Sequence, residues 1–218
     1  MALALFDLDN TLIAGDSDHG WGQFLVDGGY VCKVFYKEQN DKFLSDYVAG
    51  ELNIYEYLKF TLGFLGKTSF AQLSEMRDEF MKNVIKPMQL PKARALLEKH
   101  RGAGDELAII TSTNSFIAQP ICYMLGVKDI ICTELVTLNG EFTGAVNGVV
   151  PFREGKVTRL KLWLSKTDAC LHNSWFYSDS INDIPLMQIV SNPVAVDPDD
   201  KLHNVAKDRD WKIISLRK

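Results

Sequence analysis

Carboxylates and hydroxyls crowd into three short stretches of this chain: Asp7-Leu8-Asp9-Asn10-Thr11, Thr111-Ser112-Thr113-Asn114, and Asp179-Ser180-Ile181-Asn182-Asp183. Each lies just after a short apolar run, at 2–6, 107–110 and 175–177. Such runs suit strands buried on both faces, as in a parallel sheet covered by helices. The carboxyl ends of parallel strands share one edge, where open α/β folds bind ligands. Asp7, Asp9, Asp179 and Asp183 are therefore expected in one crevice. Four carboxylates there repel, and unpaired buried charge is expensive. A hard divalent cation with oxygen ligands relieves both, and Mg²⁺ is the expected one; it in turn favours a phosphate-bearing substrate.

The elements that would position these residues are legible from periodicity. Further apolar runs at 130–132 and 193–196 complete a set of expected strands. Helical patterns alternate with them: 91–100 opens on Pro91 and ends near Gly102 and Gly104, and 157–164 sets Val157, Leu160 and Leu164 on one face. The expectation is an α/β fold with a doubly wound, Rossmann-like parallel sheet. One interval breaks the rhythm. Roughly 75 residues before Pro91 carry no convincing strand, too many for a simple connection. They carry helical stripes instead: Ile54, Leu58, Thr61, Leu62 and Leu65 after the N-cap candidate Asn53, and Phe70, Leu73, Phe80, Met81 and Val84 after a Ser69–Gln72 capping box. We read 15–86 as a helical cap inserted after the first strand, and 1–14 with 87–218 as the catalytic α/β core. Asn139-Gly140 marks a β-hairpin.

Composition narrows the function classes. The chain has 218 residues, 46% hydrophobic, with Lys+Arg 24 against Asp+Glu 28 and a net charge of −4. That supports a real core and excludes a largely disordered chain. No Lys/Arg run provides the electrostatic footprint of a nucleic-acid binder, and no apolar stretch approaches the ~20 residues of a membrane span. The opening Met-Ala-Leu-Ala-Leu-Phe-Asp does not read as a signal peptide. Cys32, Cys122, Cys132 and Cys170 lie far apart and read as small apolar residues. A reducing, cytoplasmic setting is expected. The oligomeric state is not legible.

The motifs together resemble the haloacid dehalogenase superfamily phosphatases, in the branch (subfamily IB) whose helical cap follows the first strand. That branch includes phosphoserine and histidinol-phosphate phosphatases. Its DxDxT motif corresponds to Asp7–Thr11, its strand-end Ser/Thr to Thr111, its helix-start Lys to Lys156, and its DxxxD to Asp179–Asp183. The order and spacing match along essentially the whole chain. The resemblance implies an Mg²⁺-dependent phosphomonoester hydrolase in which Asp7 is the nucleophile and Asp9 the general acid and base. It implies Mg²⁺ held by the Asp7 carboxylate, the Asp9 backbone carbonyl and Asp179. Thr111 and Lys156 would bind the phosphoryl group; Ser112 is the alternative hydroxyl. Thr11, Asn182 and Asp183 would support them from behind, the last two orienting Lys156 and metal-bound water.

For the substrate, the resemblance implies an acid nine residues after the nucleophile that meets an ammonium group, here Asp16. The cap arginine that grips a substrate carboxylate in phosphoserine phosphatases falls on Thr61, and Arg77 is the only arginine between 15 and 86. Asp16, Asp18, His19 and Trp21 remain as cap-side candidates, suited to a cationic substrate. L-histidinol phosphate is the leading expectation, with phosphoserine or another small phospho-alcohol as alternatives. A phosphotransferase or mutase and a silent binding module are the rival classes. Bland roles are weighed beside these. Asp16 is as readily an N-cap as a ligand, Asp18 is expected to cap or face solvent, Tyr57 to belong to the cap core, and Arg153 to lie on the surface.

Overall fold

The computed structural model describes residues 2–217. β1 (Leu3–Phe6) is buried along its whole length. It lies inside a six-stranded sheet with β2 (Glu106–Asn114), β3 (Asp129–Thr133), β6 (Trp175–Ser178), β7 (Asn192–Val196) and β8 (Lys212–Ile214), in the order β3-β2-β1-β6-β7-β8. Every neighbouring pair is parallel. The chain winds outward from β1 through β2 to β3, then crosses back to β6 on the other side of β1 and winds outward again. The winding therefore reverses between β1 and β6, and a crevice opens at their carboxyl ends. The doubly wound expectation holds.

Period-two alternation explains why both sheet faces are apolar. Ala4 and Phe6 point into one core cluster with Leu97, Ile109 and Tyr177, while Leu3 and Leu5 point into another with Ile110, Leu160 and Phe176. Helices α5 (Pro91–Gly102), α6 (Ser115–Met124), α7 (Glu154–Leu164), α8 (Ile184–Met187) and α9 (Asp200–Asp208) complete the α/β part. Pro91 stands at the start of α5, where a missing N–H costs nothing. His100 on α5 bonds Asp105 and the Tyr177 hydroxyl, both at 2.8 Å, a structural role.

Among the described residues, no strand falls between β1 and β2. The interval holds α1 (Ser17–Asp27), α2 (Lys33–Ala49), α3 (Ile54–Leu65) and α4 (Phe70–Phe80), continued by a π-helical turn at Met81–Ile85. Asn53 caps α3 by accepting from the amides of Tyr55 and Glu56, and Ser69 caps α4 by accepting from Gln72. The two connections to this helical layer run side by side: the Ala14 amide bonds the Met88 carbonyl at 2.8 Å, and Ile13 bridges Gln89. The hairpin of β4 (Leu135–Leu138) and β5 (Glu141–Val146) turns through Asn139 and Gly140, both at positive φ, as an Asn-Gly hairpin requires. It packs against α3. Among the described residues, no helix is long and apolar enough to cross a membrane.

Candidate active site

Asp7 sits one residue beyond β1, and its amide still bonds the Tyr177 carbonyl at 2.9 Å, so the sheet ladder aims its side chain. The chain then turns tightly: the amides of Leu12 and Ile13 both bond the Leu8 carbonyl, and Asn10 takes a φ of +56°, which asparagine tolerates. Asp7 and Asp9 thereby face one cavity together with Thr111, Ser112 and Thr113 from the end of β2. That cavity encloses about 40 Å³, room for roughly three waters.

Lys156 enters from the first turn of α7. A Cβ at Gly155 would fall 2.0 Å from the Val150 carbonyl oxygen, so only glycine lets the chain make this entry. The buried Lys156 ammonium bonds Asp7 Oδ1 at 2.6 Å and Asp183 Oδ2 at 2.7 Å. Asp183 is fixed in turn by the Ser178 hydroxyl at 2.6 Å. Burial opposes the charge on Lys156, yet Asp183 and Asp7 outweigh it and hold the ammonium above the usual lysine range. Thr11 donates its hydroxyl to Asp179 Oδ1 at 2.9 Å. Asp9 accepts from the Ser17 amide and the Thr113 hydroxyl, each at 2.6 Å, and more weakly from Thr111 at 3.5 Å. Thr111 also accepts from the Thr113 amide, while the Ser112 carbonyl accepts from Thr133.

The electrostatics are those of surplus negative charge. Burial first, then Asp183 and Asp9, push the Asp7 carboxyl up to about 7 against the downward pull of Lys156. Asp179 is likewise raised well above the usual range, by burial first and by Asp7 next, with the Thr11 hydrogen bond opposing. Lys156 is the sole ammonium paired with this group among the described residues. A hard divalent cation fits such a set: carboxylate and carbonyl oxygens suit it, and the repulsion it would relieve is present. Among the described residues, no three His, Cys, Asp or Glu side chains form a metal-holding group by themselves. Any such cation would therefore draw on a backbone oxygen as well, as Mg²⁺ commonly does with few carboxylates and several waters or phosphate oxygens.

The cap side holds both agreement and correction. Asp16 caps α1, accepting from the His19 amide at 2.8 Å, and it also lines the cavity, so capping and lining coincide. Burial and then Asp9 push its carboxyl up to about 6. Asp18 neither caps nor faces solvent; it lines the cavity and accepts from Asn114 at 3.0 Å. Tyr57 packs against the core cluster, as its spacing suggested, and lines the cavity as well. His19 lines the cavity, but its Nε2 lies 3.2 Å from Asp41. Trp21 is corrected outright. At 2% exposure it stacks on Phe24 and meets Phe80 and Phe116 edge-on, filling the apolar seam between helical layer and sheet rather than the cavity. Arg77 lies over the Phe116 ring, 4.6 Å from its centre, and is absent from the cavity lining.

Asn182 and Arg153 also depart from expectation. Asn182 does not bond Lys156. Its Oδ1 accepts from Arg153 Nε at 3.1 Å, and its Nδ2 donates to the Tyr47 carbonyl at 3.3 Å and to Ser180. Arg153 is half-buried and also donates to the Gly50 carbonyl, while Lys201 donates to the Ala49 carbonyl at 2.7 Å. Three core side chains thus hold carbonyls at the C-terminus of α2, where the helix dipole favours cations. Sequence reasoning missed Thr113, Asn114, Asn40 and this latch. Only Thr113 and Asn114 had a signal, their place in the second polar stretch.

The model of the haloacid dehalogenase-like hydrolase family matches residues 4–188. The chain belongs to that family. A histidinol-phosphatase of Neisseria meningitidis is 44% identical over 99% of both chains. A Bordetella pertussis protein of unknown function superposes with a TM-score of 0.92 at 39% identity, covering 99% of this chain and 98% of that one. A phosphoserine phosphatase caught as a phospho-aspartyl intermediate analogue shares the fold, with a TM-score of 0.72 at 18% identity over 100% of this chain and 93% of its own. This member of the family is a phosphatase.

Proposed function

We propose that the chain hydrolyses the phosphomonoester of a small cationic alcohol through an acyl phosphate on Asp7, with L-histidinol phosphate as the substrate. The observation that carries the reading is the opposed pair of carboxylates in one cavity: Asp7 gripped by Lys156, and Asp9 free of any ammonium but held by Thr113. An Asp7 oxygen attacks phosphorus, and the bond from phosphorus to the ester oxygen breaks. Asp9 gives that oxygen a proton, so the alcohol leaves neutral. Asp9, now a carboxylate, takes a proton from water as the water oxygen attacks the same phosphorus; inorganic phosphate leaves and Asp7 is restored. Lys156 and a hydroxyl at the end of β2, Thr111 or Ser112, neutralise and orient phosphoryl oxygens, and positioning with positive charge is the main lever on such transfers. Asp7, Asp179 and the Asp9 carbonyl would hold Mg²⁺. When bound, that ion supplies charge neutralisation and alignment of the phosphoryl group. Thr11 orients Asp179, and Asp183 orients Lys156.

We assign residues 15–86 as a movable cap and 1–14 with 87–218 as the catalytic core. The paired connections at Ala14–Met88 and Ile13–Gln89 support that boundary, and a cavity of about 40 Å³ supports opening for substrate entry. The meningococcal relative's name supports histidinol phosphate. Among the described residues the cavity lining holds no arginine or lysine, which disfavours phosphoserine, whose carboxylate calls for a guanidinium or ammonium partner. Four free cysteines suit the cytoplasm. The test is phosphate release from histidinol phosphate, phosphoserine and a sugar phosphate, each with Mg²⁺ and with chelator. The account expects histidinol phosphate to lead and chelator to abolish release. Preference for phosphoserine overturns the substrate assignment.

A further inference from the structure

Beyond Asp16, the cap brings two further acceptors to the cavity, the Asp18 carboxylate and the Asn40 carboxamide oxygen. Asp18 accepts from Asn114, 3.0 Å away at the end of β2, so a core residue rather than helix capping sets its position. Asn40 on α2 lines the same cavity at 2% exposure. Its Nδ2 donates to the His19 carbonyl at 3.0 Å, and its Oδ1 has no partner. A buried acceptor without a donor is costly and calls for one. The amide packs flat on Gly22, where an added Cβ would come within 2.6 Å of Oδ1 and 2.7 Å of Cγ and Nδ2, so glycine leaves it the room. Burial pushes the Asp18 carboxyl well up, and Asp16 and Asp9 add repulsion against the opposing bonds from Tyr57 and Asn114. Phe43 and Tyr57 supply flat aromatic surface on the same cavity.

We propose that Asp18 and Asn40 form a second specificity subsite, which takes the N–H of a planar heterocycle on the leaving alcohol while Asp16 takes its ammonium. The inference rests on the phosphatase reading above and deepens it. The preferred substrate class is a phosphorylated amino alcohol bearing an imidazole-like ring, with no carboxylate. Asp18 acts as a hydrogen-bonding specificity residue and takes no part in phosphoryl transfer.

The test reads binding apart from catalysis. Calorimetry with Mg²⁺ and inorganic phosphate compares L-histidinol with 2-amino-1-propanol, which carries the ammonium but no ring. Wild-type protein is expected to favour histidinol, and Asp18→Asn to reduce that preference about 10–100-fold, the loss typical of one charge-assisted hydrogen bond. Asn40→Leu should reduce it in the same direction, and thermal melting checks that both variants fold. If both variants keep the wild-type preference, or if affinity for the two alcohols falls in equal proportion, the subsite is refuted. A preference that depends on Asp18, in a protein that releases no phosphate, sinks the phosphatase reading alone. Phosphate release with an unaltered preference sinks the subsite alone.

Discussion

Replacing Arg153 by alanine removes one direct tie that holds the C-terminus of α2 to the core, together with the core bond that orients Asn182, the donor of another tie. Its Nε bond to Asn182 Oδ1 measures 3.1 Å, and its other bond goes to the Gly50 carbonyl. A fully buried hydrogen bond from a charged donor contributes about 1.5–3 kcal/mol. This guanidinium is only half-buried, and solvent screening brings each bond nearer ~0.5–1 kcal/mol. The Gly50 tie, the only one of the two that crosses from core to cap, therefore favours the closed cap by about 0.5–1 kcal/mol, or roughly 2–5-fold in the closed–open equilibrium. The ties from Lys201 to Ala49 and from Asn182 to Tyr47 survive, so the cap loosens without detaching. KM for histidinol phosphate should rise about 2–5-fold, and kcat should fall less. Hydrogen exchange over residues 47–53 should quicken while the strands stay protected. Arg153→Ala with Asn182→Ala should cost less than the sum of the two singles, because the partners share a bond. KM and exchange both unchanged from wild type would refute the latch.

Thr113→Val should lower kcat about 10–100-fold in steady-state kinetics, because it removes the 2.6 Å hydrogen bond that holds Asp9; an unchanged kcat denies Thr113 that role. Lys156→Met leaves Asp7 and Asp183 buried without their countercharge. Urea unfolding should register a loss of about 3–5 kcal/mol, with phosphate release abolished. At Asp105, burial raises the carboxyl pKa, but bonds from His100 and the Ala2 amide outweigh it and leave the value lowered. A carboxyl lowered on folding stabilises above its unfolded pKa, near 4, and that stabilisation is lost as pH falls through the folded value. Asp105→Asn should therefore unfold more easily than wild type by about 1 kcal/mol at pH 7, with the gap closing on acidification below ~4; a gap independent of pH contradicts this.

The strands and the acids at their ends were readable because an all-apolar run cannot lie on a protein surface, and a carboxylate directly after it must sit at the sheet edge. Asp7 and Asp179 follow from that logic, whereas Lys156, in the first turn of a helix, was legible only through the family resemblance. The helix α2 was not readable. Its buried stripe is Tyr36, Asn40 and Phe43, and the asparagine at its middle breaks the apolar signal that periodicity detects. The strand β8 has only three residues at a sheet edge, too few for a pattern. Trp21 was misjudged because an aromatic beside acids reads alike as a cation's wall or a core filler, and only the neighbouring Phe80 and Phe116 decide. Arg153 and Asn182 act on carbonyls of a helix more than 100 residues away in the chain, a pairing no local pattern encodes. Asp18 looked like a helix-start acid until Asn114 was seen across from it.

The nucleophile assignment admits a direct measurement: acid-quenched turnover of histidinol phosphate followed by mass spectrometry of the N-terminal peptide. The account predicts a transient, acid-stable and base-labile phosphoryl group on Asp7, absent from Asp7→Asn, which should release no phosphate. A phosphoryl group on another residue, or full phosphate release by Asp7→Asn, would contradict it.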